Sequence, residues 1–175
     1  TQHPDWLLTH PSDPYGQKLL DFGNPAALAW AKSYFSGMIG QLGIDCYRQD
    51  CNINPLLFWR NGEAADRQGI REISHITGMY DYLDTLLRDH PNLVIDNCAS
   101  GGRRIDFEML RRSVALWRSD YMLEYVGYHS MTYGLSLWIP LHGVGSVSTD
   151  PYVFRSGMGA NFTLAVDYYS AGSTV

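Results

Sequence analysis

Two aspartates, Asp50 and Asp120, constrain the fold of this chain most strongly, because each ends a short segment typical of a buried strand. Asp50 ends the segment 46–50, which follows a helical stretch over 26–44, and Asp120 ends the segment 114–120. A carboxylate at a strand end is typical of an α/β barrel, whose strands converge on one mouth. The same position also suits a loop carboxylate or a helix N-cap, so both interpretations stay open.

Helical patterns separate the predicted strands. Asn24 and Pro25 favour a helix start, with asparagine as the N-cap and proline in the first turn. Between residues 64 and 88, apolar residues recur at helical spacing and predict a core-facing stripe that includes Ile70 and Ile73. Strands separated by helices predict an α/β fold with a parallel sheet and right-handed crossovers. Further helices are predicted over 26–44, 106–112 and 121–133.

A glycine-rich turn lies between the two aspartates. An apolar segment runs into Gly101 and Gly102, and Arg103 and Arg104 follow directly. Glycines allow the backbone to approach a ligand closely, and arginines can orient acidic groups. Such turns are also common between strands and helices for structural reasons alone. Between two strand-end aspartates, however, this segment predicts a third loop at the same mouth.

Several segments together resemble one enzyme family. The resemblance runs in order through nearly the whole chain and points to the catalytic barrel of the retaining α-galactosidases of glycoside hydrolase family 36 and their melibiase-like relatives. It is carried by HPDWLL at 3–8, LDF at 20–22, NP at 24–25, RQDCN at 48–52, CASGGRRID at 98–106 and WRSD at 117–120.

The resemblance implies a role for each matching residue. Asp50 corresponds to the family's nucleophile and Asp120 to its acid/base, and such a retaining pair needs its carboxyl groups about 5–5.5 Å apart. An α-galactoside or a related oligosaccharide is the implied substrate, with no cofactor and no metal. The predicted substrate-binding residues are Arg48, Asn52, Cys98, Gly101, Gly102, Arg104 and Trp117.

Departures from the family pattern concern the substrate more than the mechanism. Arg48 and Gln49 stand where the family has lysine and tryptophan, so the positive charge is kept but its shape changes. The arginine that the family carries after Trp6 is absent, although Lys18 offers a cation nearby. Arg118 would weaken the acid role of Asp120 if its guanidinium pointed into the pocket.

The resemblance covers only part of a barrel. The chain has 175 residues, fewer than the roughly 250 of a complete barrel. We expect residues 1–175 to be a fragment of one catalytic domain, a partial (β/α)8 barrel of about five βα units that correspond to strands four to eight. The strands are predicted over 44–49, 93–97, 114–118, 137–141 and 161–166.

A fragment of this kind leaves strand edges open, so we expect a homodimer or a higher oligomer. Two alternatives to an enzyme follow: a catalytically inactive fragment that self-associates, and a domain that only binds carbohydrate.

Other classes of partner are not expected. A net charge of −5 disfavours nucleic acid, and no apolar run is long enough for a membrane span. We expect a soluble protein, cytoplasmic or secreted. Cys46, Cys51 and Cys98 lack the spacing of a zinc site, and a reduced Cys51 and Cys98 pair is favoured over a bridge. His142 is either a substrate contact at the end of a strand or a structural residue.

Overall fold

The computed structural model describes residues 2–120 and 124–164, except for the side chains of residues 115 and 116. The chain forms two compact units. Unit 1 comprises Thr1–Asp45 and Ile53–Leu93, and unit 2 comprises Cys46–Asn52 and Val94–Val175. Among the described residues, no helix has both the length and the apolar character needed to cross a membrane.

Unit 1 combines a small hairpin with three helices. After a short 3-10 helix over Pro4–Trp6, strands β1 (Leu7–Thr9) and β2 (Lys18–Leu20) pair antiparallel. The Asn24 side chain accepts hydrogen bonds from the first backbone amides of α1, and Gly43 ends this helix at φ 63°, as the N-cap and C-cap rules predict. The helices are α1 (Pro25–Leu42), α2 (Leu56–Arg60) and α3 (Ile70–Asp89).

Helix α3 begins later than predicted, and its predicted buried stripe is confirmed at Leu83 but wrong at the first two residues. Ile70 and Ile73 are 48% and 64% exposed. The Glu63 carboxylate accepts hydrogen bonds from the amides of Gly69 and Arg71, so residues 64–69 form a capped loop before the helix. The apolar pattern allowed two phases, and the face that packs is lined by His75, Met79, Tyr82, Leu83 and Leu86.

Unit 2 contains a five-stranded parallel sheet in the order β3-β4-β5-β6-β7. The α/β fold with a parallel sheet is therefore as predicted. Helices α4 (Phe107–Leu110), α5 (Tyr125–Ser136) and α6 (Pro151–Gly157) lie between strands in the chain. The strands are β3 (Cys46–Asp50), β4 (Val94–Cys98), β5 (Ala115–Trp117), β6 (His142–Ser146) and β7 (Asn161–Leu164).

The strand predicted over residues 137–141 is wrong. The observed strand is β6, which begins at the next residue, His142. β6 is fully buried although it contains two glycines, which have low strand propensity and hide it from a sequence pattern. Gly143 packs against β7, where an added Cβ would lie 3.3 Å from the Asn161 amide. The predicted helix start at 121–123 lies outside the described residues, and Glu124 caps the helix that follows.

Candidate active site

Asp50 is the last residue of β3 and pairs in register with Cys98, the last residue of β4. The Cys98 thiol is hydrogen-bonded to the Asp50 carboxylate. Burial and the nearby Asp50 charge raise the pKa of Cys98, so the sulfur stays protonated and acts as the donor. Cys46, Cys51 and Cys98 are all free thiols, as the favoured alternative predicted.

Arg48 lies two residues before Asp50, on the same face of the sheet. Its Nη1 donates to Oδ2 of Asp96 at 2.7 Å, whereas its Nη2 is 3.7 Å from Oδ2 of Asp50. Burial opposes the charge of Arg48, but the hydrogen bond and charge of Asp96 raise its pKa. The guanidinium also lies 5.4 Å from the centre of the Trp117 ring.

Asp120 lies three residues beyond the end of β5. Its Oδ1 accepts a hydrogen bond of 2.7 Å from the indole Nε1 of Trp117, and the residue is exposed. Since Trp117 also contacts Arg48, a continuous set of contacts runs from Asp50 through Arg48 and Trp117 to Asp120. The structure thus brings both predicted catalytic aspartates to the carboxyl end of the same sheet.

Gly101 and Gly102 pack against the segment that leads to Asp120. Both have positive φ, 65° and 93°. A Cβ on Gly101 would lie 2.4 Å from the backbone nitrogen of Asp120, and a Cβ on Gly102 would lie 2.8 Å from the carbonyl oxygen of Arg118. The backbone amide of Gly102 donates to the carbonyl of Trp117. The glycines are required by this close approach of two loops, and their contact with a sugar stays a prediction.

Asn52 is joined to the loop after β4. The Ser100 hydroxyl, on a residue with φ 47°, donates to Oδ1 of Asn52 at 3.1 Å. The Cys51 amide donates to the Cys98 carbonyl at 3.2 Å. These bonds hold the loops after β3 and β4 together, with Asn52 exposed beside Asp50 in sequence.

Arg104 is held by uncharged side chains. Its Nη1 donates to the side-chain oxygens of Gln49, at 3.0 Å, and Asn97, at 3.2 Å. Gln49 and Asn97 are paired in register, and strand alternation places them on the opposite face of the sheet from Asp50. Burial lowers the pKa of Arg104. These contacts explain why an arginine is needed here, and its predicted role in substrate binding stays a prediction.

Arg118 points into the protein interior and not towards Asp120. Its side chain is buried, its Nη1 lies 3.0 Å from Nδ1 of His142, and its guanidinium lies 5.8 Å from the centre of the Tyr128 ring. Because arginine only donates, Nδ1 of His142 accepts, and Nε2 carries the proton that is shared with Ser136 at 3.1 Å. His142 is buried at the start of β6, so of its two interpretations the structural one is favoured.

Asp96 was not singled out by the sequence analysis. It lies in the middle of β4, opposite Arg48, and its Oδ1 is buried without a hydrogen-bond partner among the described residues. The only signal in the sequence is its spacing of two from Cys98, which places both side chains on one face.

The comparisons with known proteins agree on one family. A model of the Melibiase family matches residues 1–157. An α-galactosidase of Escherichia coli is 34% identical over 122 residues, which are 67% of this chain and 16% of the relative. α-Galactosidase 2 of Pediococcus pentosaceus is 31% identical over 123 residues, which are 68% of this chain and 17% of the relative.

Solved structures agree in fold. An α-galactosidase from Lactobacillus brevis has a TM-score of 0.80 at 24% identity, and covers 98% of this chain and 25% of its own. AgaA from Geobacillus stearothermophilus, a family 36 α-galactosidase, has a TM-score of 0.79 at 23% identity, with shares of 98% and 26%. The sequence thus spans about a sixth of the two curated relatives and a quarter of these structures. As its resemblance to the family 36 α-galactosidases predicted, this chain belongs to the Melibiase family.

Proposed function

We propose that this chain forms part of the catalytic domain of a retaining α-galactosidase, with Asp50 as the nucleophile and Asp120 as the acid/base. The observation that carries the proposal is the series of contacts that links the two carboxylates through Arg48 and Trp117 at the carboxyl end of one parallel sheet. Family membership supports the same chemistry.

The reaction follows from the two carboxyl groups. The Asp50 carboxylate attacks the anomeric carbon while protonated Asp120 gives its proton to the departing glycosidic oxygen, which leaves a galactosyl ester on Asp50. Asp120, now ionised, takes a proton from water, and the water attacks the ester and releases the sugar with retained configuration.

The loop contacts fit roles in substrate binding. Arg48 is partly exposed beside Asp50, so it can donate to sugar hydroxyls, and Trp117 offers an apolar ring next to Asp120. Asn52 lies on the loop after β3, and Cys98 is the last residue of β4, where the loops after the two strands are joined. We propose these four residues, with Gly101, Gly102 and Arg104, as the galactose site.

The five parallel strands of unit 2 support the interpretation that they are strands four to eight of a (β/α)8 barrel. Their order follows the chain, as in a barrel. We propose that residues 1–175 are part of a single catalytic domain. The fold likeness to α-galactosidases over 98% of the chain supports this.

Two structures of a relative support both the residues and the substrate class. AgaA was solved with stachyose after replacement of one aspartate by alanine, and with raffinose after replacement of another by asparagine. Those two aspartates lie seventy positions apart in that chain, which is also the spacing of Asp50 and Asp120. We therefore propose α-galactosyl oligosaccharides of the raffinose type as substrates.

Two assays test the proposal: release of nitrophenol from p-nitrophenyl α-galactoside, and release of galactose from raffinose. Asp50→Ala should abolish turnover of both substrates. Asp120→Ala should retain the first step on p-nitrophenyl α-galactoside, because this leaving group needs little protonation, and should lose activity on raffinose.

Azide should partly restore turnover in both variants by acting as an external nucleophile. The exposed Asp66→Ala variant is the control and should match the parent. Equal loss on both substrates in Asp120→Ala would contradict the acid role.

The alternatives stay testable in the same protein. Binding of raffinose without any turnover would favour a domain that only binds carbohydrate. Self-association is proposed because Tyr133, Leu137 and Trp138, three large apolar side chains within six residues of the sequence, are 75%, 66% and 72% exposed. Sedimentation equilibrium at micromolar concentration tests it, and a monomer mass would contradict it.

A further inference from the structure

We propose that Asp96 is a positioning residue that holds the Arg48 guanidinium away from Asp50, so that the Asp50 carboxylate stays free to attack the sugar. The inference rests on the proposed function, because only there is Asp50 the nucleophile.

The strand register places two carboxylates on either side of one guanidinium. Arg48 pairs directly with Asp96 across β3 and β4, and Asp50 pairs with Cys98 one step closer to the mouth. Residues two apart in a strand share a face. Asp96 and Asp50 therefore compete for the same cation.

Asp96 makes the stronger of the two contacts. The 2.7 Å contact between Nη1 of Arg48 and Oδ2 of Asp96 is a charge-assisted hydrogen bond, whereas 3.7 Å between Nη2 and Oδ2 of Asp50 is too long for one. The Asp96 side chain is 22% exposed and that of Asp50 is 33% exposed, so water screens the Asp96 pair less. Asp96 also contributes more than Asp50 to the raised pKa of Arg48, against the opposing effect of burial.

The other contacts of Arg48 and Asp50 also favour pairing of Arg48 with Asp96 over pairing with Asp50. Trp117 lies against the guanidinium at 5.4 Å, so Arg48 is fixed by Asp96 on one side and by an aromatic ring on the other. The neutral Cys98 thiol is a hydrogen-bond donor to Asp50. A carboxylate held by a weak neutral donor keeps its lone pairs more available than one paired with a guanidinium fork.

Loss of the Asp96 charge should therefore redirect Arg48. The guanidinium is then expected to pair with Asp50, the nearest remaining carboxylate, and to occupy the oxygens that must attack the anomeric carbon. Because Arg48 is also proposed to contact the sugar, binding of the sugar should change as well, and the defect specific to this inference is a slower attack at saturating sugar.

The rate of covalent labelling measures this attack directly. The probe is an α-galactosyl fluoride with a ring fluorine, used on the natural full-length chain. One Asp50 oxygen forms a bond to the anomeric carbon, the carbon–fluorine bond breaks, and fluoride leaves with the electron pair. At saturating probe, where a change in sugar binding no longer limits the reaction, Asp96→Asn should label at least about tenfold more slowly. An unchanged labelling rate would overturn the inference, whereas a parent protein that does not label would contradict the proposed function itself.

Adding the Asp96 substitution to an Arg48→Gln variant separates a positioning role of Asp96 from a structural one. In Arg48→Gln there is no guanidinium to redirect, so adding Asp96→Asn should change the labelling rate by less than about twofold. A further tenfold loss in that background would overturn the inference. Asp96→Glu restores the charge and should recover most of the rate. If Asp96→Asn does not fold, Asp96→Ser takes its place with the same expected outcomes.

Discussion

Replacing Gly101 by alanine should displace Asp120, and the structure gives the size of the effect. The added Cβ would lie 2.4 Å from the Asp120 nitrogen and 2.7 Å from the carbonyl carbon of Ser119. Both are backbone atoms, so no side-chain rotation can relieve the overlap. The segment of Asp120 must move by about 1 Å to reach ordinary van der Waals contact.

Two costs add for this variant. Alanine in the left-handed region costs about 1–2 kcal/mol, and forcing an extra carbon into a packed contact costs about 1–3 kcal/mol. Gly16→Ala is a matched control, because Gly16 has φ 61° against 65° for Gly101 but no atom within 4 Å of its added Cβ. Gly16→Ala should therefore show the first cost alone.

Urea unfolding and steady-state kinetics test both parts. Gly101→Ala should lower the free energy of unfolding by about 1–3 kcal/mol more than Gly16→Ala. A shift of about 1 Å in a catalytic group costs about a hundredfold in rate, so kcat on raffinose should fall by that order. Activity on the nitrophenyl substrate should fall less, as for loss of the acid. If Gly101→Ala matches Gly16→Ala in both measurements, the packing argument is refuted.

Two further predictions concern stability. Asn24→Ala removes the acceptor that caps α1 and should cost about 1 kcal/mol in thermal or urea unfolding, and an unchanged stability would contradict the capping role. Burial and the Arg118 charge lower the pKa of His142 from 6.5, so the unfolded state binds the proton more tightly and stability should fall as the pH drops below about 6.5. His142→Asn keeps an acceptor for Arg118 and should lose less unfolding free energy than the parent between about pH 7 and about pH 5. An equal loss would contradict the assignment of this pH dependence to His142.

The two aspartates proposed as catalytic could be identified in the sequence because they are carried by short local motifs. Asp50 ends and Asp120 follows a strand segment that is continuous in the chain, and the glycine turn at 101–102 is visible as a motif. The structure adds that these glycines are needed for contact with the Asp120 segment, which no local pattern reveals.

Contacts set by strand register could not be predicted in the same way. The pairing of Arg48 with Asp96 joins residues far apart in the chain, and it depends on a register that a one-residue slip would change. The contact of Arg118 with His142 likewise required the correct position of β6, which its two glycines concealed. On α3, the apolar spacing fixed the helix but not the face that packs, so Ile70 and Ile73 were assigned to the core although they are exposed.

The site of covalent labelling shows whether Asp50 is the nucleophile. After reaction with the ring-fluorinated α-galactosyl fluoride, mass spectrometry of the digested protein identifies the modified side chain. We expect a fluorinated galactosyl ester on Asp50, formed in the parent and absent in Asp50→Ala. A stable label on any other residue, or hydrolysis of the probe without a covalent adduct and with inverted configuration, would contradict it.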